Sequence, residues 1–377
     1  MVNYRSSLKL IKQLDWKLIA IVLTIFGFGL VILSSATHLN SNANTTKAIF
    51  QLGKQCAAFG LGAIVICLIL LVDYTLIGKY YKELYLISII LLAVVLIPGI
   101  GAERGGARSW LNLGPLDLQT SEIVKLTFIL SYAKIVESKR DRLRTIKDIM
   151  PLIIYAIPFL GLLLAQPDLG TALVFMCIIA AMVFTAGLDG KIIRRTIIIV
   201  VALMPIMYML MADHQKQRIE AFLHPEDITL KGNYQVMQSL IAIGSGGITG
   251  KGLYQGSQNQ EDFLPVQDSD FIFAVVGEEL GVIGMVFLIG LYIAFIFRLI
   301  YAAQQARDFY GTLIVIGVLG MFGYQIIQNI GMTVAVIPVT GVTLPFVSYG
   351  GSSMLTSMAN LGLVMNVYMR RKKINFS

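Results

Sequence analysis

The sequence predicts an all-α integral membrane protein with about ten transmembrane helices in one polytopic domain, residues 1–377. Three observations carry this prediction. The chain is 56% apolar and 14% charged, whereas ordinary globular domains are roughly 45–50% apolar and about 25% charged. Its mean hydropathy is +0.75. Its apolar residues fall in long runs, and the length suffices for about ten spans of about 20 residues each. A disordered chain, a disulfide-stapled secreted domain and most soluble enzymes are thereby excluded.

Apolar windows place the spans near 16–35, 55–73, 83–99, 120–137, 150–166, 168–187, 192–212, 271–296, 311–337 and 351–369. The first follows Arg5, Lys9 and Lys12, and no small-residue cleavage site ends it, so it reads as an uncleaved span. Cys56, Cys67 and Cys177 lie in or beside apolar runs and read as small packed hydrophobes. His38, His214 and His224 are isolated, and no Cys/His spacing suggests a metal site. The 39–46 stretch reads as a polar outer loop.

Basic residues alternate between the two sides. One side collects Lys17, Lys79, Lys82, a cluster from Lys139 to Lys147, then Lys191, Arg194, Arg195, Arg298, Arg307 and Arg370 to Lys373. The opposite side is poorer, and its longest segment, 213–270, carries eight acidic and four basic residues. The positive-inside rule therefore expects both termini in the cytoplasm and a large extracytoplasmic segment between helices 7 and 8. The net charge of +8 becomes an orientation signal, not a nucleic-acid footprint.

The unusual polar residues collect on the outer side. The loop 101–122 is Gly-rich and carries Arg104, Arg108 and Trp110. Trp110 reads either as an interfacial anchor or as a flat face against substrate. Glu122 and Lys125 sit three apart, so they can pair on one helix face, structurally or at a cavity. Gln166, Pro167 and Asp168 form a very short outer turn, where Asp168 is either a helix cap or a site residue. The run 232–258 contains GITGKG, but Ser245 and Gly252 occupy positions that a phosphate loop gives to Gly and Ser/Thr. It reads instead as a flexible segment rich in main-chain donors, with Gln235, Gln238 and Lys251 as polar groups. Asp268 and Asp270 sit where this polar segment meets the apolar run Phe271–Val276. Partial desolvation there favours a base, and capping by Asp270 is the competing reading. Glu278 and Glu279, about 12 Å further along a helix, need interior partners. The stretch 337–353 is too apolar for a solvated loop and too rich in Pro and Gly for a helix. A re-entrant segment before helix 10, buried in the bundle mouth, satisfies both facts.

The runs GARSWLNLGPLDLQTSEIVKL, AQPDLGTA, NYQVMQSLIAIGSGGITGKG, FLPVQDSDFIFAVVGEELG and QNIGMTVAVIPVTGVTLPFVSYGGSSML together resemble the SEDS family of RodA, FtsW and SpoVE. The resemblance covers almost the whole chain. It implies a peptidoglycan glycosyltransferase that polymerises lipid II outside the cytoplasmic membrane beside a class B penicillin-binding protein transpeptidase. The GSQNQ…FLP and QNIGMT runs look more like RodA, which implies an elongation role; a division or sporulation paralogue and a lipid II flippase are the alternatives. The family's catalytic aspartate maps onto Asp270, although Asp268 and Ser269 stand where His and Thr are usual. Asp268 beside Asp270 could help hold a divalent cation such as Mg²⁺ or Mn²⁺, and no organic cofactor is implied. Trp110, Arg108, Glu122, Lys125, Asp168, Arg218, Gln238, Lys251 and Ser348 are the candidate substrate-binding residues, with Arg108, Arg218 and Lys251 offered to the departing pyrophosphate.

Overall fold

Among the described residues most long apolar runs form helices, in which the main chain satisfies its own hydrogen bonds, the condition a lipid environment imposes. The computed structural model describes residues 13–37, 45–104, 107–113, 116–140, 146–192 and 232–371, with individual residues within 194–230. The helices are α1 (Trp16–Ala36), α2 (Thr45–Leu71), α3 (Tyr81–Val94), α4 (Thr120–Ser138), α5 (Ile146–Ala165) and α6 (Leu169–Thr185). They continue with α7 (Asp213–Leu223), α8 (Asn233–Gly246), α9 (Ile272–Gln304), α10 (Phe309–Thr333) and α11 (Gly351–Met369). Among the described residues, five helices are long and apolar enough to cross a membrane: α1, most of α2 and α5, α9 and α10. α6 is apolar but shorter. The chain is a multi-pass helical membrane protein.

Helix ends follow local chemistry more closely than hydropathy. Asp15 caps α1 by accepting from Leu18 N at 3.1 Å, and Asp308 caps α10 by accepting from Gly311 N at 2.8 Å. α2 starts at Thr45, ten positions before the apolar window opens, because its first turns carry Gln51 and Lys54. α3 stops at Val94, five positions before the expected 99, and α10 stops at Thr333 rather than 337. α11 is buried along almost its whole length and packs against α2, α4 and α10. A central helix need not be uniformly apolar, and α11 carries Ser352, Thr356, Ser357, Asn360 and Asn366 inside the bundle. Within 190–209 the described residues are helical and Met211 is a bend; the other residues of the expected seventh span lie outside the described residues. So do Arg5, Lys9 and Lys12, the loop 39–44, Arg142 and Arg144, and Lys372 and Lys373.

The all-α expectation needs one correction. Residues 101–119 form a three-stranded antiparallel sheet, β1 (Gly101–Arg104), β2 (Ala107–Leu113) and β3 (Leu116–Gln119), in the order β1-β2-β3. Trp110 faces Ala102 on one side and Gln119 on the other. The strands are short and separated in sequence by Gly105-Gly106 and Gly114-Pro115, so a window of membrane-span length averages them into a loop. The sheet is tied to the bundle by Arg108 N, which donates to Gln166 O at 3.2 Å.

The glycine-rich run after α8 is a second correction. It is not a flexible donor segment, because its amides are taken by a break in α9. Gly281 has φ 63° and ψ −161°, which interrupts the helix. Around that break Lys251 N donates to Glu278 O and Gly252 N to Glu279 O, both at 3.0 Å, while Val282 N donates to Gly247 O at 3.0 Å. The backbones approach so closely that a Cβ on Gly246 would lie 2.0 Å from Gly277 O, and one on Gly250 would lie 2.1 Å from Glu279 O. Gly244, two residues earlier, has nothing within 4 Å of that position. Gly246→Ala is therefore expected to destabilise the protein by about 1–3 kcal/mol through overpacking. Gly244→Ala should leave stability unchanged or raise it; thermal unfolding in detergent distinguishes the two.

Candidate active site

Asp270 sits in the turn that leads into α9. Val266, at φ 56°, offers its carbonyl to the amides of Ser269, Asp270 and Phe271 at 3.3, 3.1 and 3.3 Å. That knot places Asp270 just outside the helix. Phe271 occupies the cap position without a side-chain cap, so the capping role weighed for Asp270 is not the one the structure gives it. Its Oδ1 accepts from Ser269 Oγ at 3.3 Å, and a Cβ on Gly341 would lie 3.4 Å from its Oδ2. Among the described residues no ion pair consumes this carboxylate. Burial pushes its pKa up to about 6; Ser269 and the Arg218 charge pull it down, and Asp268 pushes it up.

Each consecutive carbonyl of the turn is held from outside. Tyr349 N donates to Asp268 O at 2.9 Å, Ser348 Oγ to Ser269 O at 2.5 Å, and Asn329 Nδ2 to Asp270 O at 2.9 Å. Ser348 is thus a brace, since its oxygen also accepts from Leu344 N at 2.9 Å. Its hydroxyl is engaged by main chain at the position where the sequence suggests a substrate contact. Asp268 accepts from Gln51 Nε2 at 3.4 Å through its carboxylate. Arg218 reaches the same region, donating from Nη1 to Val339 O at 3.5 Å.

A second cluster lies across the chain segment 340–342. Lys125 Nζ pairs with Glu122 Oε1 at 2.6 Å, both buried on α4. Asp168 caps α6: its Oδ1 accepts from Thr171 N at 3.0 Å, and its Oδ2 accepts from Thr171 Oγ1 at 2.8 Å and from Gln119 Nε2 at 3.4 Å. Burial pushes the Asp168 carboxyl up, against Thr171 and the nearby Lys125. A Cβ on Gly170 would lie 2.6 Å from Thr340 O. The strip Thr340–Val342 therefore separates the start of α6 from Asp270. A mainly apolar cavity of about 170 Å³ opens beside Glu122, lined by Val65, Leu118, Leu126, Ser352 and Ala359 among others. Arg108 and Trp110 are half-buried on β2 next to this cluster.

Lys251 is placed elsewhere. Its Nζ pairs with the buried Glu278 at 2.7 Å and donates to Ser257 Oγ at 2.8 Å, so its charge is already matched. Glu278 also accepts from Gln258 N and Asn259 N at 2.9 and 3.1 Å, and Glu279 accepts from Ser35 Oγ at 2.6 Å and Asn259 Nδ2 at 2.9 Å. These are the interior partners that the two glutamates need. Gln235 and Gln238 are half-buried on α8, and no hydrogen bond among the described residues brings them to Asp270. No group of three or more His, Cys, Asp or Glu side chains suited to a metal occurs among the described residues. Asp268 and Asp270 alone fall short of a protein-built cage.

Sequence reasoning passed over Gln328 and Asn329. Both are buried on α10, and they donate to Pro338 O at 2.8 Å and Val342 O at 2.8 Å. The available signal was the recurrence of amides at 325, 328 and 329 on one face of an apolar helix.

Breaking the α4 pair from one side leaves a buried charge unmatched. Lys125→Met is expected to cost about 3–5 kcal/mol of stability. The double variant Glu122→Gln/Lys125→Met should recover most of that loss in thermal unfolding.

Comparison with known proteins places this geometry in a family. A family model described as a cell cycle protein, covering FtsW, RodA and SpoVE, matches residues 15–373. A probable peptidoglycan glycosyltransferase FtsW of Trichlorobacter lovleyi is 34% identical over 94% of this chain and 93% of its own length. The peptidoglycan glycosyltransferase MrdB of Escherichia coli K12 is also 34% identical, over 97% of this chain and 96% of its own. A chain from a solved peptidoglycan synthase complex, described for its coordination of polymerization and crosslinking, superposes with a TM-score of 0.80. It is 35% identical and covers 94% of this chain and 97% of that one. The chain belongs to the FtsW, RodA and SpoVE family of peptidoglycan glycosyltransferases.

Proposed function

We propose that this chain polymerises lipid II into β-1,4 glycan strands at the outer face of the cytoplasmic membrane, with Asp270 as the general base. The observation that carries this reading is a half-buried carboxylate with no ion pair among the described residues and no capping duty, whose pKa is pushed up to about 6. A base with a pKa near the working pH is both ionised and able to take a proton. The distribution of Lys and Arg supports the outward orientation, with both termini inside and 213–270 outside. The non-helical stretch 334–350 is partly exposed as far as Gly341 and buried over 344–348 against α1, α9 and α10, which supports a re-entrant segment in a frame of about ten spans.

Lipid II carries its sugar in an α-linkage and the product is β-1,4, so a single displacement with inversion suffices. The acceptor C4 hydroxyl bonds to the anomeric carbon of the donor sugar. Its proton passes to the Asp270 carboxylate, and the bond to the pyrophosphate oxygen breaks with its electron pair leaving on the polyprenyl pyrophosphate. Arg218 is the cation whose charge acts on Asp270, so it is the group best placed to meet the leaving group. Arg108 and Trp110 on the sheet, with Glu122, Lys125 and Asp168 behind them, form a second contact surface for substrate. Lys251, paired with Glu278, is left out of this reading.

The partner in this reading is a class B penicillin-binding protein transpeptidase, in keeping with the synthase complex that contains the similar chain. The GSQNQ…FLP and QNIGMT runs favour an elongation role over division or sporulation. A flippase needs charged residues along a path through the whole bilayer, whereas Asp270, Arg218 and the sheet lie in one zone.

Asp270→Asn is expected to fold and insert normally and to lose polymerisation of labelled lipid II. In the wild-type chain the rate should rise as pH increases through about 6, because the base must be ionised, and then level off. A fully active Asp270→Asn variant with its partner bound removes Asp270 from the mechanism.

A further inference from the structure

Three donors hold the three consecutive carbonyls of the Asp270 turn, and one of them does more than the others. Asn329 Nδ2 donates to Asp270 O at 2.9 Å and also to Val342 O at 2.8 Å. The two acceptors belong to different parts of the chain: the turn before α9 and the non-helical strip 338–350. Both are carbonyls, so only the amide nitrogen can face them, and the side-chain orientation is fixed. The opposite atom, Oδ1, is buried without a hydrogen-bond partner among the described residues. An orphaned buried acceptor is unfavourable. The site tolerates it because two donors are required at the other end.

The double bond has a geometric consequence. Val342 follows Gly341, whose missing Cβ would lie 3.4 Å from Asp270 Oδ2. One amide group therefore fixes the main chain of Asp270 and the wall against its carboxylate. Gln328, the preceding residue, grips the same strip at Pro338 O at 2.8 Å. Ser348, on the far end of the strip, grips Ser269 O at 2.5 Å.

We propose that Asn329 is a positioning residue for the glycosyl transfer. It sets the separation between the Asp270 turn and the Gly341–Val342 wall, so that the carboxylate meets the acceptor hydroxyl in one geometry. The proposal rests on the reading of Asp270 as base. Because Asn329 is fully buried and bonds to main-chain carbonyls rather than to the Asp270 carboxylate, it acts on the chemical step and not on lipid II binding.

The test measures kcat and KM for labelled lipid II, with the transpeptidase partner bound, in the wild type and in Asn329→Ala, Ser348→Ala and Asp270→Asn. Thermal midpoint and partner binding are recorded for each. Asn329→Ala is expected to lower kcat about 10- to 100-fold, the effect of a misplaced reacting group, with KM changed by less than about twofold. Ser348→Ala should lower kcat in the same direction, again at constant KM. An unchanged kcat in Asn329→Ala, with Asp270→Asn inactive, overturns the positioning role and leaves the base intact. An active Asp270→Asn variant instead overturns the base reading. Loss of the folded protein in both Asn329→Ala and Ser348→Ala assigns the two residues to stability and overturns the proposal as well.

Discussion

A non-helical strip of main chain buried among membrane helices must have its polar groups answered from the helices around it. Residues 338–350, half-buried at first and buried over 344–348, impose that constraint, and much of the interior polarity of this protein follows from it. Gln328 and Asn329 of α10 serve Pro338 O and Val342 O. Tyr292 of α9 donates to Pro345 O at 2.7 Å. Gln55 of α2 donates to Ser348 O at 2.9 Å and accepts from Gly350 N at 3.2 Å. The strip in turn supplies Tyr349 N and Ser348 Oγ to the Asp270 turn. Polar side chains on otherwise apolar helices thereby become the scaffold of a single carboxylate.

The break in α9 is the second support of the same site. Gly281 lets the helix open, and the run from Gly246 to Gly252 closes on it through main-chain hydrogen bonds. Just before the break, Glu278 and Glu279 fasten the neighbouring loop to α1 through Lys251, Asn259 and Ser35. Asp270 leads into this helix, so the loop, the break and the strip restrain it from different directions. A base whose surroundings are fixed by packing and by answered hydrogen bonds needs little reorganisation when charge moves.

Much of this was legible in the residues, for reasons that can be named. Long apolar runs favour helices in lipid, so α1, α10 and α11 lie close to their expected places, while α9 runs on to Gln304, eight residues past the expected 296. Asp270 stood out because a carboxylate at the edge of Phe271–Val276 is costly to place without purpose. Short-range alternation was harder to see. β1 to β3 are too brief for a hydropathy window, and Gly105, Gly106, Gly114 and Pro115 made them resemble a loop. Pairwise partners could not be read at all. Lys251 and Glu278 are 27 positions apart, and only the fold shows that each neutralises the other. The same holds for Ser348, whose brace to Ser269 spans 79 positions, and for Asn329, 59 positions from the carbonyl that it holds.

Glycosyl transfer needs no bilayer between the substrates, whereas passage of lipid II across a membrane does. The purified chain and its transpeptidase partner, incubated with labelled lipid II in detergent micelles, are therefore expected to form glycan strands of many disaccharide units. Absence of strands from the wild-type pair, together with movement of lipid II across the bilayer in vesicles holding the same protein, overturns the reading of this bundle as a polymerase.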